Sequence, residues 1–224
     1  MKPSQAGAVA APAGYPDSPR YPEKRAAIAR AALHLFVRDG FERTSMDAIA
    51  AEAGVSKRTV YSHYAGKQRL FLSVVEDTLA AVMEVINGVA ERELYGPGDI
   101  TQRLLSFIRP VAHTITRLPE RAALVRVIIS EAPRFPVLAE QWPGRRALIA
   151  LLERALAGLG PDSVLEVPSP AQAAGHLAAL TFGQVSNRTL FGLIELTDEE
   201  LDSIVTGGVD VFVRAYRRAR PPAA

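Results

Sequence analysis

Residues 44–67 read TSMDAIAAEAGVSKRTVYSHYAGK, and the fold class turns on how this stretch pairs its apolar positions. Met46, Ile49 and Ala53 recur at helical spacing, which predicts a helix over about 45–53 with one apolar side. Thr44 or Ser45 is placed to cap it, and Thr44-x-x-Asp47 has capping-box spacing with the shorter acid. Gly54 supplies a residue comfortable at positive φ. Ser56 then caps a second short helix reaching about Tyr64, and Ala65-Gly66 breaks it. Small Ala50 lets the two helices approach, while Val55 and Val60 join them, so the unit reads as a helix-turn-helix. The outer side of the second helix keeps Lys57, Arg58, Thr59, Tyr61, Ser62 and His63. Cations, hydroxyls and donors without a carboxylate suit a helix laid into the major groove of DNA.

Outward from this stretch the chain stays helical. A helix is expected from about Pro22 to Arg38, with Ile28, Ala31, Ala32, Leu35 and Phe36 on its buried face and Gly40 as its stop. A long helix starts near Lys67 and reaches about Ala90. Five more are expected near Ile100–Arg117, Glu120–Glu131, Val137–Ala157, Pro170–Phe191 and Asp198–Ala219, with Gly and Pro falling between segments. The expected fold class is therefore all-α, about nine helices. Residues 1–21, rich in proline, read as a disordered tail; 22–66 form a three-helix DNA-binding domain; 67–219 form a larger helical body.

Composition narrows the chemistry. At 224 residues and 48% hydrophobic, the chain can bury a substantial core. The absence of cysteine excludes disulfides and thiolate sites. Residues 22–70 carry nine Lys or Arg against five Asp or Glu, the rest beyond is net acidic, and no acid falls between Glu52 and Glu76. Such asymmetry points the N-terminal end at a polyanion. There is no secretory pattern and no run of 18 apolar residues, so the expected location is cytoplasmic, on the nucleoid, without membrane contact. His34, His113 and His176 stand apart on different helices, no His-x-x-x-His pair or G-x-S-x-G elbow occurs, and Gly96–Gly98 and Gly158–Gly160 read as turns. No enzyme activity, metal or cofactor is expected.

The run Gly40–Ala50, then Ala53–Tyr64, then Gly66-Lys67 and Leu70-Phe71, resembles the DNA-binding domain of TetR/AcrR-family regulators. Ser130–Leu138 is similar to a segment of an AefR-like C-terminal subgroup. The resemblance implies a homodimeric repressor that holds a palindromic operator in double-stranded DNA and is released by a small, largely apolar effector. A DNA-binding protein of the same fold without an effector stays open as an alternative, and a helical enzyme as a remote one. Carried over position by position, the resemblance puts Thr44 and Lys67 on phosphates, and Lys57, Arg58 and Thr59 at base edges and backbone. It puts Tyr61 and His63 on phosphate or groove. Ser56 is first a cap and second a DNA contact, while Tyr64, standing where phenylalanine is more common, is expected to pack. Met83, Phe107, Trp142 and Phe182 are candidates to line an effector pocket. The last two helices, through Ala174, Ala178, Leu201, Ile204, Val205 and Phe212, are candidates for the dimer face.

Overall fold

The computed structural model describes residues 20–117, 119–136, 138 and 143–218. The chain divides into two compact units, Met1–Val74 and Val75–Ala224.

In the first unit, α1 spans Arg20–Asp39. It opens two residues ahead of Pro22, which still falls in the first turn, where a missing N–H costs no helix bond. The expected inner face holds, since Ile28, Ala31, Ala32, Leu35 and Phe36 are all buried. Then come α2 (Met46–Glu52) and α3 (Lys57–His63), followed by the start of α4 (Lys67–Val89). Phe36 of α1, Phe41 of the following loop and Phe71 of α4 meet with ring centroids 5.1–5.8 Å apart. Each such ring carries a large apolar area out of water, so this cluster is what sets the small unit's α1, loop and α4 against one another.

The second unit takes the rest of α4, which runs into a π turn at Ala90–Leu94. It continues with α5 (Ile100–Thr116), α6 (Pro119–Glu131) and α7 (Pro143–Ala157). Next, α8 (Pro170–Ala178) passes through a second π turn, Ala179–Gly183, into α9 (Gln184–Arg188). The last helix is α10 (Asp198–Ala215). With residues 170–188 counted as one rod, there are nine helices among the described residues. Extended pairing among them is limited to a single antiparallel bridge between Leu165 and Arg217. The architecture is all-α. One core joins α5, α7, α8 and α10, centred on Leu104, Phe107, Leu152, Leu177, Val205 and Phe212.

Several helix ends depart from the sequence reading. The rod ends at Arg188 rather than Phe191, and Leu190 and Phe191 take left-handed φ values of 46° and 54°. α10 stops at Ala215 because the next residues turn back: the N–H of Glu166 donates to Tyr216 O at 2.8 Å and that of Arg218 to Val164 O at 2.9 Å. Pro110 lies inside α5, on its exposed side, not between segments. Of the helix expected over 137–157, residues 137 and 139–142, Trp142 among them, lie outside the described residues.

α10 crosses the second π turn at very close range. A Cβ on Gly208 would stand 2.3 Å from Leu180 O and 2.8 Å from Thr181 Cγ2, so only glycine lets the two backbones meet there. The start of α10 is fixed by a full capping box: Glu200 N–H donates to Thr197 Oγ1 at 3.2 Å and Thr197 N–H to Glu200 Oε2 at 2.9 Å.

Candidate nucleic-acid interface

The site is built from α2, the turn after it, and α3. Ser45 is the N-cap of α2, its hydroxyl accepting from Ala48 N–H at 3.1 Å. Of the two hydroxyls that could cap, Thr44 is therefore not the one, and the Thr44–Asp47 capping box is not made. Gly54 turns the chain at φ +66°, and Val55 N–H reaches back to Ala50 O at 3.0 Å. Ser56 caps α3 by accepting from Thr59 N–H at 3.1 Å and shares a hydrogen bond with Thr59 Oγ1 at 2.8 Å. Met46, Ile49, Ala50 and Val60 are buried between the helices, as their spacing predicted.

With Val60 turned inward, α3 presents Lys57, Arg58, Tyr61 and Ser62 to solvent, Tyr61 at 48% exposure. Thr59 and His63 are half-buried. His63 titrates below its ordinary value of 6.5, because of its burial first and the cations Lys24 and Arg25 of α1 second. Those two basic residues thus belong to the same surface as the end of α3, which their distance along the chain conceals. Tyr64 is buried, as expected of a residue standing in for phenylalanine.

Three side chains have partners that the sequence did not announce. Thr44 is 3% exposed, and its hydroxyl donates to Gly40 O at 2.8 Å and Leu35 O at 3.2 Å. It closes the loop after α1 instead of facing outward to a phosphate. Lys67 donates to Phe41 O at 2.9 Å and Glu42 O at 3.1 Å, with its ammonium 4.5 Å from the Phe41 ring centre. Two of its three N–H groups are thus committed to the loop between α1 and α2. Lys57 stands 2.7 Å from Asp47 Oδ1 and 3.0 Å from Oδ2, so the outer face of α3 is not remote from acid. The carboxylate comes from α2, ten residues back. The pairing of Asp47 with Lys57 at the edge of α3 is what sequence reasoning missed.

In the second unit, Phe107 and Phe182 are buried members of the core and Met83 packs partly buried against it. Trp142 lies outside the described residues. The six residues expected at a dimer face, Ala174, Ala178, Leu201, Ile204, Val205 and Phe212, are buried inside the protomer. A correction follows: these side chains are the inward stripe of their helices, and what α10 turns outward includes Gly207, Asp210, Val211 and Arg214. An open hollow of about 300 Å³ beside α10 is lined by Arg188, Glu199, Glu200, Ser203 and Ile204, and with three charged residues at an open surface it is unlike an enclosed apolar effector pocket. No group of three or more His, Asp or Glu among the described residues is arranged to hold a metal ion. No helix among them is long and apolar enough to cross a membrane.

Residues 28–74 match the family model for bacterial regulatory proteins of the tetR family, and residues 102–218 match that for the AefR-like transcriptional repressor C-terminal domain. A TetR-family transcriptional regulator from Mesorhizobium loti is 28% identical with a TM-score of 0.80, over 90% of this chain and 100% of that one. The flavonoid-responsive regulator FrrA is 34% identical with a TM-score of 0.68, again over 90% of this chain and all of its own. The transcriptional activator FasR of Mycolicibacterium smegmatis is 41% identical over 82 residues, 37% of this chain and 36% of its own length. The chain spans between 24% and 59% of the lengths of the curated relatives it matches. By its helix-turn-helix, its helical body and these matches, the chain belongs to the TetR family of DNA-binding transcriptional regulators and carries an AefR-like C-terminal domain.

Proposed function

We propose that this regulator is a homodimeric repressor that holds a palindromic operator and releases it when a small, largely apolar effector binds the helical body. In this reading residues 22–66 form the DNA-binding domain and 67–219 the effector and dimerisation domain, working in the cytoplasm on the nucleoid. The observation that carries the DNA half is the outward pair Arg58 and Tyr61, with Lys57 at their edge, on a helix whose Val60 is buried. Arg58 is exposed, and in this reading its guanidinium pairs bidentately with a guanine. Tyr61, His63, Ser56 and Thr59 flank it, and Lys67 supports the reading head chiefly by fixing the loop between α1 and α2, with one N–H left for a phosphate.

The effector half draws on kinship. FrrA is named as flavonoid-responsive, and an AefR-like C-terminal domain matches most of the second unit. Phe107, Phe182 and Met83 would line the effector's place in the body, and the effector would act through α4, the helix within which the chain passes from one unit to the other.

Selection from a randomised duplex pool by the purified protein tests the reading. The expected product is an inverted repeat with half-sites about one or two helical turns apart, spaced as two-fold pairing of recognition helices requires. Arg58→Ala should relax the preference at one base pair of each half-site. Recovery of unrelated sequences, bound with equal strength, would refute sequence-specific reading. A selective protein whose operator affinity no apolar compound alters would leave the effector-free regulator in its place.

A further inference from the structure

The contact between Asp47 and Lys57 reaches beyond that reading while resting on α3 as the recognition helix. Asp47 lies in the first turn of α2 and Lys57 is the first residue of α3. Both carboxylate oxygens share the ammonium, at 2.7 and 3.0 Å. The turn at Gly54 thus brings the starts of the two helices together, and with them the acid and base at the edge of the reading face. Lys57 and Asp47 side chains are 58% and 65% exposed. An ion pair that open to water contributes little to folding, so its stability value does not account for an acid beside a DNA-reading helix.

We propose that Asp47 is a specificity-determining residue: by holding the Lys57 ammonium, it keeps that cation from serving as a sequence-indifferent phosphate ligand. A lysine on a flexible stem at the start of α3 would otherwise find a phosphate on any duplex, and phosphate contacts carry affinity without sequence information. Tethered to Asp47, it gains such a contact only by breaking the pair and drawing a bare carboxylate toward the backbone, where like charges oppose. On the operator, Arg58 and its neighbours hold the helix in register and the pair stays closed. On random DNA, where phosphate contacts are all there is, the withheld contact is felt in full. The hydrogen bond and charge of Asp47 also raise the Lys57 pKa above its ordinary value.

The test compares wild type, Asp47→Ala, Asp47→Asn, Lys57→Ala and the double variant Asp47→Ala/Lys57→Ala, on the selected operator and on a shuffled duplex of equal length, across a salt series. Asp47→Ala is expected to tighten binding to the shuffled duplex roughly three- to tenfold and to steepen its log–log salt slope by about 0.9, the signature of one added phosphate contact. Operator affinity should stay within about twofold, so selectivity falls by the difference. In the Lys57→Ala background both changes should vanish. Asp47→Asn keeps the shape and an acceptor without the charge and should reproduce most of the loss, and it decides the matter if the alanine variant folds poorly. Equal tightening on both duplexes, an unchanged slope, or an effect that survives in Lys57→Ala would overturn the proposal, for Asp47 would then be repelling DNA on its own. A wild-type protein that prefers no sequence rejects the recognition-helix reading and this proposal with it. A selective wild type whose Asp47 variants are equally selective rejects this proposal alone.

Discussion

Among the described residues, the phenol oxygen of Tyr64 has no hydrogen-bond partner. The ring is 6% exposed and packs where its position after α3 demands an apolar side chain, yet the hydroxyl is buried and unsatisfied. Burying a hydroxyl without a partner costs on the order of 1–3 kcal/mol. Tyr64→Phe should therefore stabilise the protein by about 1 kcal/mol, a rise in melting temperature of roughly 2–4 °C. Operator affinity should not move. A weaker operator complex, measured beside the melting curve, would instead give the phenol a role in DNA binding. The same scale shows what sequence could and could not disclose. The period of α3 identified Val60 as inward and Lys57, Arg58 and Tyr61 as outward without any structure. Thr44 and Lys67 were misjudged in emphasis because their partners are backbone carbonyls of one loop, Gly40 through Glu42, and of Leu35. No residue type advertises a carbonyl turned its way. Asp47 was invisible for a related reason: the acid-free window from Glu52 to Glu76 describes distance along the chain, whereas the turn at Gly54 sets distance in space.

Helix starts were legible because capping is local. Ser45 and Ser56 each accept an N–H from three residues ahead, so a short polar side chain before an apolar run sufficed to find them. The two π turns were not legible, since an extra residue in a helical turn is stabilised by what packs on it rather than by its own composition. At Ala179–Gly183 the packing partner is α10, and Gly208 is the residue that admits it. Gly208→Ala would drive a methyl group into the Leu180 carbonyl at 2.3 Å, where backbone has no rotamer to yield. The expected cost is about 1–3 kcal/mol from overpacking, against the roughly 0.5–1 kcal/mol that alanine ordinarily gains over glycine within a helix. Urea unfolding would register it as a lower midpoint with unchanged slope. A neutral or stabilised variant would mean that α10 and the turn can part without loss, and that the close approach is not what fixes them.

At the scale of the whole molecule, the proposed homodimer needs a surface that joins two copies. The stripe Leu201, Ile204, Val205 and Phe212 has helical spacing, and the family resemblance makes it a candidate dimer seam, but periodicity says only that one side of a helix is covered. The protomer's own core covers it, against α5 and the rod. A dimer face on α10 must then use the other side, where Val211 is 51% exposed beside Gly207 and the Asp210–Arg214 ion pair. Small and apolar residues framed by a paired acid and base suit close packing of one helix on its copy. Val211→Glu should leave the protomer's stability within about 0.5 kcal/mol, as substitutions at exposed positions usually do. Placed against its two-fold mate it would set like charges together in an apolar contact and favour monomers, visible by sedimentation. The consequence for DNA follows from linkage of the two reading heads. Once one half-site is held, the second head meets its own at a high effective concentration, so the palindrome binds far more tightly than either half. Dissociating the dimer should therefore weaken palindrome binding by about a hundredfold or more, within the usual avidity range, while an isolated half-site is bound as before. A Val211→Glu protein that sediments as a dimer would move the seam off this side of α10. One that is monomeric yet holds the palindrome undiminished would mean that the two heads never acted as a pair.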